Sequence, residues 1–342
     1  MRSVVTVGLD IAKNVFQAHG IDAEGSVVFR KRLTRAKVTE FFAALGPCLI
    51  GIEACATAHH WARTLRELGH TVKLMPPAYV KPYVKSQKND AADAEAICEA
   101  VTRPTMRFAE VKSIEQQSVL SMHRLRAQLI RHRTRLANTM RAHMAEFGII
   151  APIGRLGLER LIHIICDETD DRITPIVRRA LGHLVNQHDQ QVMQILDLDR
   201  QIMIWHRSNE TSRRLATIPG IGPLAASALA ATIGDAKVFS SGRALSAWLG
   251  LVPRQNSSGG KERLGGISKR GDGYLRSLLV AGSLAVIKYA QRNGTKRLWL
   301  VKLLERRTSK IAAVAMANKI ARMVWALMIR GESYREPLSR AA

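Results

Sequence analysis

Apolar and polar positions along this chain change rhythm twice. Up to about residue 108, short apolar runs alternate with helical patterns. Val4–Leu9 is a β-branched run that ends at Asp10. Val15–Ile21 and Ser26–Leu33 read as two further strands, joined across the turn-rich Asp22-Ala-Glu-Gly25. Lys37–Ala44 has helical spacing, Cys48–Glu53 is another short apolar run ending at an acid, and Ala58–Leu68 reads as a helix stopped by Gly69. Thr71–Met75 is a buried-type strand closed by Pro76-Pro77, and Asp90–Val101 reads as a helix. From Ser113 to Phe147 there is neither Pro nor Gly. As a helix that stretch would span about 50 Å. Leu120, Leu125, Leu129, Leu136 and Met140 form its apolar stripe, and Arg124, Arg126, Arg131, Arg133, Arg135 and Arg141 surround it. A second long helical pattern runs from about Pro175 to His206, so a helical hairpin or coiled coil is expected. After about Thr211 glycine and basic residues become denser. Helices are predicted at Leu224–Ile233, Gly273–Gln291, Lys296–Glu305 and Ser309–Arg330, with a frayed tail after Gly331.

This patterning predicts an α/β first part, a long helical middle and a mainly α last part. Composition then narrows the partner. The 342 residues carry 52 Lys+Arg against 28 Asp+Glu, a formal charge of +24. The segment from Leu251 to Lys310 alone holds 14 Lys+Arg and 3 Asp+Glu. A hydrophobic fraction of 46% excludes wholesale disorder, and a charge of this size points to a polyanion. Cys48, Cys55, Cys98 and Cys166 show no C-x-x-C spacing, so neither a zinc knuckle nor a disulfide framework is written here. Free cysteines suit a reducing cytoplasm. The first apolar run is too short for a signal peptide and is broken by Asp10. Leu278–Ile287 is too short to span a membrane, and Ile311–Ile329 carries Asn318, Lys319 and Arg322. A cytoplasmic protein without a membrane partner is expected.

In so basic a chain, acids at strand ends stand out. Asp10 ends the first strand and Glu53 ends a later one, after Ile50-Gly51-Ile52. Asp90 and Asp93 open a helix in Lys88-Asn-Asp-Ala-Ala-Asp-Ala-Glu95, and an i, i+3 pair shares one helix face. Carboxylates gathered at a sheet edge repel one another unless a cation neutralises them. Oxygen-only ligands select a hard ion such as Mg²⁺, and two such ions can clamp the attacking and leaving oxygens of a phosphodiester. Taken singly, Asp10 also reads as a turn residue, Asp90 as an N-cap, and the pair as a solvated helix face. The order of G-x-D, I-E and N-D-x-x-D is far more specific, and it resembles the ribonuclease-H-like (RuvC-type) nuclease core.

A second constellation lies near the other end. Ile218-Pro-Gly220-Ile-Gly222-Pro223 before a helix is similar to a helix-hairpin-helix motif, in which backbone N–H groups face a phosphate. It also reads as an ordinary turn between helices. Gly250 to Gly271 is rich in Gly, Ser and cations. Ser258 beside Gly259 is sterically open, and Arg254, Lys261, Arg263, Lys269 and Arg270 can neutralise phosphate. A lone serine is a poor nucleophile without activation, so a flexible phosphate-binding loop competes with a catalytic serine. Walker-type spacing is absent. His59-His60 could approach the acids or simply pack. Trp61, Trp248, Trp299 and Trp325 read as core, and Arg131 and Arg135 as part of a stripe that either tracks a nucleic-acid backbone or simply solubilises the helix.

Together these motifs resemble the DEDD transposases of bacterial insertion-sequence family one-ten. The resemblance covers nearly the whole chain, through GLDIAK, IEA, NDAADAEAI, IPGIG and GLVPRQNSSGGKERLGGISKRGD. The chain departs from many members in reading Glu53-Ala-Cys-Ala-Thr57, without a glycine soon after I-E-A. The resemblance implies that Asp10, Glu53, Asp90 and Asp93 bind Mg²⁺ and that Ser258, with Ser257 ranked second, is the nucleophile. It implies a phosphoserine intermediate and a structured noncoding bridge RNA that pairs with donor and target DNA. It further implies a homo-oligomer, dimer or tetramer, whose carboxylates and serine come from different subunits. The corresponding division is a RuvC-like domain at 1–108, a helical coiled-coil spacer at 109–210 and a C-terminal domain at 211–335. A metal-only nuclease or junction resolvase, and a non-enzymatic nucleic-acid scaffold, are the alternatives.

Overall fold

The computed structural model describes residues 3–85, 89–295 and 297–336. It divides into two units, Met1–Glu115 and Gln116–Ala342. The stretch 109–210 therefore begins in the first unit and continues through the second.

The first unit is built on β1 (Thr6–Ile11), β2 (Val15–Ile21), β3 (Val27–Thr34), α1 (Val38–Ala43), β4 (Leu49–Glu53), α2 (Ala58–Glu67), β5 (Thr71–Met75), the short α3 (Pro77–Val80) and α4 (Asp90–Val101). The five strands form one sheet in the order β3-β2-β1-β4-β5. β1 pairs antiparallel with β2 and parallel with β4, and β4 pairs parallel with β5. Strand alternation sends Val7, Leu9, Ile50 and Ile52 to one face. There they join Val38 and Phe42 of α1 and Trp61, Ala62 and Leu65 of α2 in one buried cluster. The opposite face receives α4, whose Ile97, Ala100 and Val101 are buried with Met75 and Val80. β1 was expected over Val4–Leu9 and instead runs through Asp10 to Ile11, because β2 pairs with it that far.

The second unit holds nearly all of α5 (Ile114–Ala145), then α6 (Arg155–Cys166), α7 (Pro175–Ser208), α8 (Glu210–Leu215), α9 (Pro223–Ile233) and α10 (Gly242–Trp248). The strands β6 (Pro253–Gln255) and β7 (Leu264–Ile267) follow, then α11 (Gly273–Asn293), α12 (Leu298–Arg306) and α13 (Ser309–Arg330). Three helices, not two, make the middle: α6 packs Leu161, Ile164 and Ile165 against Met140 and Met144 of α5 and Leu181 and Val185 of α7. Arg126 and Asp199 form a two-pronged ion pair between α5 and α7, which removes Arg126 from the free cationic stripe. His123 of α5 is 1% exposed and links three helices: its Nδ1 lies 3.0 Å from the Tyr274 hydroxyl of α11 and its Nε2 lies 3.1 Å from Ser227 Oγ of α9. Burial pulls its pKa down to about 4, so it sits neutral between these partners.

The core of the last third joins α9, α10, α11, α12 and α13. Among the described residues, α13 is the one helix long and apolar enough to cross a membrane by length and composition. Here its Ala312, Ala313, Met316, Ala317, Ile320, Ala321 and Val324 are buried in that core. The helix expected at Lys296–Glu305 is α12, and Lys296 lies outside the described residues. The tail after Gly331 was expected to fray. As far as Glu336 it is tied down: Tyr334 N–H donates to Thr217 Oγ1 at 2.8 Å, and Arg297 Nε to Glu336 Oε1 at 2.8 Å. Residues 337–342 lie outside the described residues.

Candidate active site

The acidic cluster depends on how closely α4 lies on the sheet. Gly8 of β1 and Gly51 of β4 are registered neighbours on adjacent strands. A Cβ on Gly8 would fall 2.1 Å from the Ala94 carbonyl oxygen and 2.7 Å from Cys98 Cβ; one on Gly51 would fall 2.7 Å from Val101 Cβ. Gly8 is a floor on which the α4 backbone rests directly, and Gly51 makes room for the Val101 side chain. Ala94 and Cys98, one turn apart, are the small residues that face Gly8, and both are 1% exposed. Asn89 caps α4, its side-chain oxygen accepting from Ala92 N–H at 2.8 Å. The N-cap is thus Asn89 and not Asp90, and both aspartates of the first turn project from the positive end of the helix dipole.

Asp10 follows Gly8 by two positions, on the same face of β1. As a result carboxylate oxygens of Asp10, Asp90 and Asp93 all lie within 4.8 Å of one another. Burial, and then the charges of Asp93, Asp90 and Glu53, push the Asp10 carboxyl up to about 6. Glu53 ends β4 one position beyond the Leu9–Ile52 pair, beside Asp10 in the sheet. It acts on Asp10 through its charge but stands outside the group of three. Three oxygen donors at this spacing, repelling one another, are the donor chemistry of a hard divalent cation. The donor set fits such an ion without selecting Mg²⁺ among them.

His59 Nδ1 accepts from Lys112 N–H at 3.1 Å, and His60 stacks edge-on against Trp61. Trp61 is core, whereas Trp248 (39% exposed) and Trp299 (41% exposed) are surface residues, contrary to expectation. They sit on short helices whose apolar spacing does not reveal which flank faces water. Trp325 is half-buried and donates from Nε1 to the Phe239 carbonyl at 3.0 Å.

Ser258 lies in the other unit. The segment expected as a flexible loop is a β-hairpin, β6 pairing antiparallel with β7. Its tip is Ser258-Gly259-Gly260-Lys261, closed by Lys261 N–H donating to the Ser258 carbonyl at 3.1 Å. Gly259 and Gly260 both have positive φ, +55° and +76°, the requirement of a tight hairpin turn that a Gly-Gly pair meets. Ser257 Oγ accepts from Arg263 N–H at 3.1 Å and so serves the hairpin. Ser258 is exposed, and its hydroxyl has no partner among the described residues. Arg254, Lys261, Arg263, Lys269 and Arg270 are all exposed around this hairpin and its base.

Gly220 and Gly222 occupy the turn between α8 and α9. Gly220 packs backbone to backbone on Gly282 of α11: a Cβ on Gly282 would fall 1.8 Å from the Gly220 carbonyl oxygen. This glycine is accounted for by helix packing. Gly222 is exposed at the start of α9, with open space where a Cβ would be. Arg131 and Arg135 share one exposed face of α5 with Arg124. The motifs contain Gly51 and Asn89, but they do not reveal that these residues, with Ala94 and Cys98, shape the acidic cluster. The available signal was the pairing of small residues at i, i+4 on α4 with glycines in two strands.

Comparison with known proteins draws the two halves together. The family profile described as "Transposase IS116/IS110/IS902 family" matches residues 212–298, which include Ser258. A DEDD transposase profile of the same group, described as "Transposase", matches residues 7–149, which include all four acids. A Pseudomonas aeruginosa protein named "Probable family 20 transposase" is 50% identical over 96% of this chain and 98% of its own length. The transposase for insertion sequence element IS1328 of Yersinia enterocolitica is 41% identical over 97% of this chain and 98% of its own. The transposase for IS1111A of Coxiella burnetii is 40% identical over 98% of this chain and 92% of its own. At such identity, sustained along nearly every element described above, the chain belongs to the IS110 family of insertion-sequence transposases.

Proposed function

We propose that this transposase cuts and rejoins DNA by transesterification through Ser258, with Asp10, Glu53, Asp90 and Asp93 holding Mg²⁺. The observation that carries the reading is the convergence of Asp10, Asp90 and Asp93 within 4.8 Å, on a chain whose exposed Ser258 tops a cationic hairpin. Bound between these carboxylates, Mg²⁺ supplies charge neutralisation for the attacking and leaving oxygens. Ser258 Oγ loses its proton and bonds to phosphorus, and the displaced DNA oxygen leaves as a hydroxyl after gaining a proton. The phosphoserine keeps the bond energy, so rejoining needs no nucleotide cofactor. Arg254, Lys261, Arg263, Lys269 and Arg270 neutralise the phosphates on either side.

The sheet order, three antiparallel strands followed by two parallel ones with acids at strand ends and on α4, supports reading the first unit as ribonuclease-H-like. A structured bridge RNA that pairs with donor and target DNA completes the proposal. Delegating specificity to base pairing suits a protein whose exposed cations, such as Arg131 and Arg135, grip backbones. The working form is a homo-oligomer, dimer or tetramer, acting at the nucleoid in the cytoplasm.

The test is a denaturing gel of end-labelled donor DNA with protein, element RNA and Mg²⁺. A covalent protein–DNA adduct is expected from the wild type and from neither Ser258→Ala nor Asp10→Ala. Cleavage that survives Ser258→Ala without an adduct, but not Asp10→Ala, overturns the serine and leaves a metal-only nuclease.

A further inference from the structure

We propose that the cleft formed by α10, α12 and α13 binds an unpaired stretch of DNA, stacking a base on Trp299 and holding its phosphates with Arg243, Lys319 and Arg322. The cleft has a volume of about 690 Å³, the size of a small-ligand site. Trp299, Trp325, Met323 and Ala315 give it apolar walls, and the three cations stand among them. No carboxylate lines it, and none pairs with Arg243, Lys319 or Arg322 among the described residues. Its floor is fixed: Trp325 is held by the Phe239 carbonyl, and Asn318 Nδ2 donates to the Leu251 carbonyl at 3.1 Å.

Trp299 is different. It is 41% exposed, and the Lys319 ammonium lies over its ring, 4.7 Å from the centroid. A base that stacks on this ring takes the ammonium's place on that face, and the released ammonium meets the neighbouring phosphate. A closed duplex keeps its base faces covered by stacking, so it could use the cations and not the ring. An acidic peptide would likewise leave the ring unused. A transposase breaks strands and thereby frees unpaired DNA, which fixes the occupant as DNA. Among the described residues that line this cleft there is none of the acidic cluster and none of the β6–β7 hairpin.

The test uses the full chain, Mg²⁺-free buffer and a short fluorescein-labelled DNA strand followed by anisotropy, with the matching duplex and the same sequence as RNA. Trp299→Ala is expected to weaken single-stranded DNA binding about tenfold while leaving duplex binding within about twofold. Trp299→Phe, which keeps a stacking face, is expected to retain most of the affinity. Replacing Arg243, Lys319 and Arg322 together by Gln is expected to flatten the salt dependence for the single strand by a slope of about 2. Unchanged single-strand affinity in Trp299→Ala, or equal loss on duplex, overturns the proposal. A larger loss on RNA than on DNA also overturns it and assigns the cleft to RNA. The assay contains no cleavage step, so its outcome does not depend on which group is the nucleophile.

Discussion

Asp10 carries opposed demands. Burial and three neighbouring carboxylates push its pKa up to about 6, from an ordinary value of 3.8. In the metal-free protein the folded state therefore keeps a proton that the unfolded chain releases between those two values. Stability from this group is present at low pH and is lost as pH rises through about 6. Asp10→Asn removes both the repulsion and the titration. At pH 7.5 without metal, the variant is expected to melt a few degrees above wild type, and the advantage should shrink toward pH 5. Adding Mg²⁺ should reverse the order, because a cation that binds only the folded wild type raises its melting point. Thermal scans at both pH values, with Mg²⁺ and with a chelator, check this. A variant less stable than wild type in chelator would mean that the carboxyl makes a favourable contact that outweighs the repulsion.

At the scale of the element, the cluster is a consequence of one helix lying on one strand. Gly8→Ala puts a methyl 2.1 Å from the Ala94 carbonyl oxygen, where only backbone can give way. Overpacking of this kind costs about 1–3 kcal/mol and sometimes more. The variant is expected to lower the urea midpoint and to abolish the Mg²⁺-induced rise in melting temperature. Gly46→Ala, at a glycine with open space and no positive φ, should be close to neutral. Equal behaviour of the two variants would show that α4 does not rest on β1 as described. Much of this architecture was legible in the sequence. Val15–Ile21, Thr71–Met75, Asp90–Val101 and Ser309–Arg330 were read to the residue, because runs with one period and firm stops at Pro, Gly or a cap leave little choice. Helix α6 was not read. Its twelve residues follow Pro152 and Gly154, and that punctuation outweighed the apolar spacing of Leu158, Leu161, Ile162 and Ile165. The β6–β7 hairpin was missed because Leu264-Gly-Gly-Ile267 has poor strand propensity. Its strongest signal was the Gly-Gly turn. Likewise the sequence named four acids, but which three converge is set by sheet register and by the depth at which α4 docks.

At the scale of the whole molecule, the acidic cluster belongs to Met1–Glu115 and Ser258 to Gln116–Ala342. If the working site takes its carboxylates from one copy and its serine from another, as the family resemblance implies, two inactive variants should repair each other. Asp10→Ala retains an intact serine, and Ser258→Ala retains intact carboxylates. A mixed oligomer then contains sites that pair the good half of each. Random mixing in a dimer makes half the assemblies mixed, with one whole site of two, so about a quarter of wild-type adduct formation is expected from an equal mixture. Each variant alone should give none. A site completed within one chain gives no adduct in the mixture either, since every chain then carries one broken half. The readout must be the adduct on labelled donor DNA, with oligomer exchange verified by differently tagged chains, because subunits that never exchange would mimic the within-chain result. The +24 charge sets the condition for the experiment. Nucleic-acid affinity resting on many phosphate contacts falls steeply with salt, so variants and wild type must be compared at one ionic strength. Repair by mixing at that ionic strength places the reacting halves on different subunits, and its absence with verified exchange places them on one.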